Sequence, residues 1–254
     1  MCIRDRFYRG YHTAEWYIRQ QILFEEIAGT LGYEKVSEEK KAVAEMIREY
    51  VRGGGFLFAM CSACDTVDLA LAAHGIDIAP RQFDHDGTTP GCQDKLDYSR
   101  CLAFEGFRLE MNPMVYEFSD IDMTAVAAER GEGNDWFTLF EFSAKHDPVP
   151  TMLVQNHVSV VEGFMGQTTS FRKSLLKKKV LVMGEVKGSN EARYIHGNFG
   201  KGTFTFFGGH DPEDYQHFVG DPPTDLDLYP NSPGYRLILN NILFPAARKK
   251  EQKT

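Results

Sequence analysis

Five apolar residues, Phe56-Leu57-Phe58-Ala59-Met60, run without a polar interruption directly after Gly53-Gly54-Gly55. An unbroken apolar run of that length predicts a buried parallel strand, because both faces of such a strand are covered. The run stops at Cys61, and residues 66–74 then read as a helix closed by Gly75. Upstream, an aromatic-rich stretch (Phe7, Tyr8, Tyr11, Trp16, Tyr17) leads into a helix predicted over about 13–31. Ser37 has the chemistry of an N-cap. After it Val43, Met46, Ile47, Tyr50 and Val51 recur at helical spacing, which predicts an amphipathic helix ended by Gly53. A short Ile76–Ile78 run predicts a further strand. Strand, helix, strand in this rhythm indicates an α/β sheet joined by crossovers.

Periodicity is lost over 80–100, where Asp84-His85-Asp86-Gly87 and Thr88-Thr89-Pro90-Gly91 read as a long surface loop. Short β-like pieces follow at 107–109, 115–118 and 137–142, with a turn at 131–135 between two of them. Further strands are predicted at 149–155, 180–183 and 193–196. The composition of 198–202 suits a hairpin turn leading into a strand at 203–207. Ser232-Pro233 opens a last helix with Ser as N-cap and Pro in the first turn. That helix carries Leu237, Ile238, Asn241 and Ile242 and stops before Pro245, leaving a solvated tail at 248–253. With no internal repeat and no linker, residues 7–254 read as one domain.

Composition narrows the classes. A chain of 254 residues, 43% hydrophobic and 25% charged, is ordinary for a globular protein with a full core. A formal charge of −8 and a pI near 5.5 argue against a nucleic-acid binder. No apolar run is long enough to span a bilayer, and no signal peptide is visible. Five cysteines make no disulfide scaffold and leave at least one thiol unpaired by count. Met1-Cys2-Ile3-Arg4-Asp5-Arg6 resembles a translated sequencing-adapter remnant, so residues 1–6 are expected to be foreign and the chain to be the C-terminal part of a longer one. Oligomeric state and compartment are left open.

Cys61 is the first candidate for chemistry. A residue at a sharp strand-to-helix turn is presented at the carboxyl end of the sheet, where helix N–H groups and the helix dipole favour a thiolate. The alternative is a small buried hydrophobe. Residues 203–215 repeat the logic: a strand ends in Gly208-Gly209, and His210 follows with acids behind it. His210 is a candidate base, and Glu213, or else Asp211, a candidate orienting acid. Ser62 is placed to offer a backbone N–H to an oxyanion. His157 and His196 are candidates for lining the pocket, against a reading as satisfied polar residues at strand ends. Cys61-Ser62-Ala63-Cys64 also fits a redox motif but lacks the flanking Trp and the intervening Pro. A zinc site from Cys61, Cys64, Cys92 and Cys101 has the wrong second spacing. Asp84, His85 and Asp86 read as metal ligands or, more simply, as a polar loop.

Strand, cysteine elbow and helix, followed late by a strand and Gly209-His210-Asp211-Pro212-Glu213, resemble the class I glutamine amidotransferase fold. Within it the chain is similar to the trehalose-utilisation (ThuA-like) branch, and over 7–254 to a bacterial family labelled "asparagine synthetase B". Segments 56–63, 111–122, 147–157, 163–173, 190–197 and 208–224 carry the likeness. It implies an α/β, three-layer, flavodoxin-like fold with a β-rich insertion, whose first strand or strands are missing here. It also implies family members that are longer at the N-terminus and often exported. Ala59 and Ala63 stand where the amidotransferase elbow has glycines, and His210-Asp211-Pro212-Glu213 is one residue longer than His-Pro-Glu. Asparagine synthesis by the two-domain synthetase is excluded, because Cys2 is followed by Ile3-Arg4 and no Ser-Gly-Gly-x-Asp segment exists. The expectation is a Cys61–His210–Glu213 hydrolase of a small amide or ester that needs no cofactor or metal. The alternative is a non-catalytic, carbohydrate-related binding module.

Overall fold

The computed structural model describes residues 7–140, 159–163, 165–166, 168–209, 211–215 and 220–243. The protein is a mixed α/β structure around one curled sheet. Three helices come first: α1 (Tyr8–Tyr11), α2 (Glu15–Thr30) and α3 (Val36–Arg52). The strand β1 (Phe56–Met60) and the helices α4 (Ala63–Ala72), α5 (Arg81–Asp84) and α6 (Thr124–Arg130) follow. The remaining strands are β2 (Trp136–Leu139), β3 (Val160–Glu162), β4 (Phe171–Arg172), β5 (Leu181–Glu185), β6 (Glu191–Phe199) and β7 (Gly202–Phe207), and α7 (Pro233–Leu243) closes the described chain.

The strand order is β1-β7-β6-β5-β2-β3, with β4 pairing β6 off this path. β1 and β7 run parallel with Met60 opposite Phe207, and every other pairing is antiparallel. The two strands expected to carry the site are therefore direct neighbours pointing the same way, and their carboxyl ends share one edge. β6 and β7 form the expected hairpin, turning at Gly200-Lys201.

Side chains alternate across the sheet and feed two cores. On one face Ala59, Ile195, Phe204 and Phe206 pack with Val67, Leu69 and Leu71 of α4 and Ala44 of α3. On the other, Phe137, Met183, Tyr194 and Phe207 pack with Leu237 of α7. Phe104, Phe204 and Phe206 are each no more than 1% exposed. Burying such a ring stabilises by about 1.5–3 kcal/mol, so this aromatic core fixes the register of β1 against β7.

Several local expectations hold. α2 and α3 lie where the patterns put them, and Ser232 caps α7, its Oγ accepting from the Tyr235 N–H at 3.2 Å. Others are corrected. Lys35 rather than Ser37 precedes the first turn of α3, and Ser37 is buried inside that turn. Met46 and Tyr50 are exposed, because α3 turns Ala44 and Val51 to the core. Residues 76–78 form no strand: the Asp77 carbonyl is taken by the Thr89 N–H, a loop closure in place of a ladder. The pieces at 107–109 and 115–118 reach only a single bridge, Leu109 to Ser119. The turn at 131–135 leads out of helix α6, which the sequence reading did not anticipate. The expected strand at 149–155 and the tail at 248–253 lie outside the described residues. No helix among the described residues is long and apolar enough to cross a membrane.

Candidate functional site

Cys61 follows the last residue of β1 and adopts φ 58°, a left-handed conformation in a residue with a side chain. That backbone costs about 1–2 kcal/mol outside glycine, and it persists where the surroundings impose it. Here the imposition is visible. The Cys61 N–H donates to the Gly209 carbonyl at 3.0 Å, so β1 stays tied to β7 one residue past the ladder. Ser62 then takes helical φ/ψ as the residue before α4, and Thr66 Oγ1 returns to its carbonyl at 2.5 Å. The first N–H groups of a helix have no intrahelical partner, so the turn presents donors beside the thiol.

A third segment, which the sequence reading did not assign to the site, locks the first two. The Gly209 N–H donates to the Thr168 carbonyl at 3.0 Å, and Thr168 Oγ1 donates to the Asp65 carboxylate at 3.0 Å. Thr168 is itself left-handed, at φ 60°. Gly208 lies so close to this segment that a Cβ there would sit 2.2 Å from the Thr169 carbonyl oxygen, which only glycine avoids. Asp65 is fully buried one turn beyond Cys61. In the sequence it reads as an ordinary acid in a first helical turn, and its partner lies 103 positions away.

The two cysteines of the elbow differ in kind. Cys64 is fully buried, its thiol directed at the Ala59 carbonyl at 3.3 Å and the Phe207 carbonyl at 3.5 Å. Burial, then the nearby Asp65, push that thiol well above its ordinary range, so it stays protonated. Cys61 is half-buried and shares no disulfide with it. Cys92 and Cys101 are buried elsewhere, and Cys101 directs its thiol at the Asp68 carbonyl.

A buried ionic network flanks the site. The Arg193 carbonyl accepts from the Gly208 N–H at 2.7 Å, and its guanidinium meets both oxygens of Asp135 at 2.5 and 2.6 Å. Arg130 bridges Asp135 at 2.9 Å and Glu191 at 2.6 and 2.8 Å, and Ser170 donates to Glu191 at 3.0 Å. Arg193 is 1% exposed, and its Nε and Nη1, like the Tyr215 hydroxyl, are buried without a hydrogen-bond partner among the described residues. Burial, outweighing Asp135, lowers the Arg193 pKa.

The remaining candidates separate. Asp211 accepts from the Glu213 N–H at 3.1 Å, from the Thr224 hydroxyl and from the Tyr235 hydroxyl, which pins the segment after β7 to α7. Glu213 sits half-buried in that turn. His196 is in mid-sheet, in register with Thr205, its Nδ1 2.8 Å from the Thr205 hydroxyl. Burial lowers it to about 4, so it is neutral near pH 7. It stands three residues before the Phe199 end of β6, away from the edge that holds Cys61. His210 and His157 lie outside the described residues. A concavity of about 250 Å³ between β2 and β5, lined by Thr138, Phe140, Met183 and Glu185 among others, holds none of the candidates.

Compared with protein-family models, curated proteins and solved structures, the chain matches none.

Proposed function

We propose that the protein is a thiol-dependent hydrolase of a small amide or ester, on a three-layer, flavodoxin-like scaffold of the class I amidotransferase kind. The observation that carries the reading is the backbone of Cys61. A left-handed, half-buried cysteine ends β1, opens α4 and is tied to the parallel neighbour β7 immediately before His210. In the reaction the Cys61 thiol loses its proton to His210, and its sulfur attacks the substrate carbonyl carbon. The carbonyl electron pair moves to oxygen, where the Ser62 N–H and the first turn of α4 stabilise it. Collapse of that adduct expels the amine or alcohol, which takes the proton back from His210. Water then cleaves the thioester and regenerates the thiol. Glu213 is the acid assigned to orient His210. Asp211, held by Thr224 and Tyr235, keeps that turn in place.

The alkylation rate of Cys61 by iodoacetamide, measured against pH by peptide mapping, tests this. Cys64, Cys92 and Cys101 are buried and serve as internal controls. The expected result is a thiolate titrating well below the ordinary value of about 8.5, moved upward in His210→Ala. An ordinary thiol indifferent to His210 would overturn the catalytic pair and leave the carbohydrate-related binding module in its place.

A further inference from the structure

Away from the elbow, three carboxylates gather around one lysine. Asp77 follows α4, Asp84 ends α5, and Asp86 lies two residues further on. One oxygen from each lies within 4.8 Å of the other two. Lys35, immediately before α3, places its ammonium 2.8 Å from Asp77, 3.8 Å from Asp84 and in closest contact with Asp86. Three negative groups thus face a single positive one.

Asp84 is what the lysine leaves unresolved. Its side chain is 4% exposed, yet among the described residues neither carboxylate oxygen has a hydrogen-bond donor outside the cluster. At 3.8 Å the Lys35 ammonium is too far to donate to it. An ionised carboxylate buried without donors is strongly disfavoured. The cluster is therefore assembled around a centre that an ammonium fills incompletely.

We propose that Asp77, Asp84 and Asp86 bind a divalent, oxygen-seeking cation, calcium before magnesium, which takes the place of the Lys35 ammonium. The donor set is all oxygen, which selects hard cations. Calcium coordinates at about 2.3–2.6 Å, so it bridges oxygens up to about 5 Å apart and reaches all three carboxylates. Magnesium, at about 2.0–2.1 Å, spans only about 4 Å and demands octahedral order. Asp77 is already oriented, since its Oδ1 accepts from the Ala79 N–H at 2.8 Å and leaves Oδ2 toward the centre. Lys35 is 23% exposed along its side chain and can swing into solvent. With three protein carboxylates and water completing the shell, the expected affinity is that of a weak site, with a dissociation constant of about 10⁻⁴–10⁻³ M.

Isothermal titration calorimetry of the full chain with calcium chloride, and in parallel with magnesium chloride, tests the proposal near neutral pH. One calcium site, tighter than the magnesium one, is expected. Asp84→Asn, nearly isosteric and checked for folding by circular dichroism, should weaken calcium at least about tenfold, because it removes the buried anionic ligand. Lys35→Met should tighten it by removing the competing ammonium, which keeps the test open should the first variant fail to fold. No calcium heat at about ten times the expected dissociation constant would overturn the proposal. So would unchanged binding in Asp84→Asn, or weakened binding in Lys35→Met.

Discussion

Asp135 and Arg193 are both buried, but their loss should not cost the same. Asp135→Asn removes the anion that meets the Arg193 guanidinium at 2.5 and 2.6 Å. Arg193, 1% exposed and with Nε and Nη1 already unbonded, would then hold a buried charge without its direct counter-ion. Stranding a buried charge in this way costs about 3–5 kcal/mol. Arg193→Met is different. It leaves Asp135 paired with Arg130, 2.8 Å away, and eliminates the two unbonded donors with their desolvation. Its expected cost is about 1–2 kcal/mol. Urea denaturation at pH 7 reads both. With a slope of about 3 kcal/mol per molar, Asp135→Asn lowers the midpoint by about 1–1.7 M and Arg193→Met by about 0.3–0.7 M. The double variant should recover much of the Asp135→Asn loss, since the stranded charge is gone. Equal losses from the two single variants, or a double variant that sums them, would falsify the asymmetry and the account of the network behind it.

Two further predictions follow from local geometry and burial. Because Cys61 sits at φ 58°, Cys61→Gly should be more stable than Cys61→Ala by about 1 kcal/mol in thermal denaturation, the reverse of the usual glycine penalty; an alanine variant that is the more stable would remove the strain argument. Asp68 and His196 should pull stability in opposite directions over one pH window. Asp68 is buried and accepts from the N–H groups of Leu102, Ala103 and Phe104, and burial lifts it from 3.8 to about 6. It binds its proton more tightly folded than unfolded, so its contribution to stability grows as pH falls from about 6 to 4, by about 3 kcal/mol. His196 is lowered by burial from 6.5 to about 4, so the unfolded chain protonates first and stability falls by a similar amount over the same window. In the wild-type chain the two nearly cancel. Urea midpoints from pH 7 to 4 should therefore drop more steeply in Asp68→Asn and less steeply in His196→Gln, and parallel curves for all three proteins would refute the assignment.

What the sequence showed and what it hid divide by how far apart the interacting residues lie along the chain. β1, α2, α3 and α7 were readable because their signals are local: an apolar run, a helical stripe, Ser232 three residues before the N–H it caps. Cys61 was readable for the same reason, since the apolar run ends on it. Its left-handed backbone was not, because that geometry depends on the Gly209 carbonyl of a strand that begins some 140 residues later. The run itself predicted a fully buried strand, yet most of β1 is half-buried, since among the described residues only β7 pairs with it. Residues 76–78 fail in the opposite sense. Ile78 is 1% exposed, but its backbone closes a loop, so apolar character reported burial and not pairing.

The same separation explains the rest of the site. Asp65 and Thr168 each look unremarkable where they stand, as a helix-start acid and a threonine in a polar stretch. Together they brace the elbow. Asp84-His85-Asp86 announced itself as a motif, with Asp77 seven residues before it, whereas Lys35, which gives the cluster its positive charge, stands some 50 residues earlier, just before α3. A chain whose candidate chemistry is assembled this way depends on the register of β1 against β7. Sliding β1 along β7 by one residue would turn Ala59, opposite Phe206, out of the core and carry Cys61 off the Gly209 carbonyl at once. The aromatic core and the elbow are therefore one structural commitment, and a substitution that loosens Phe206 should disturb the Cys61 thiol as surely as one made beside it.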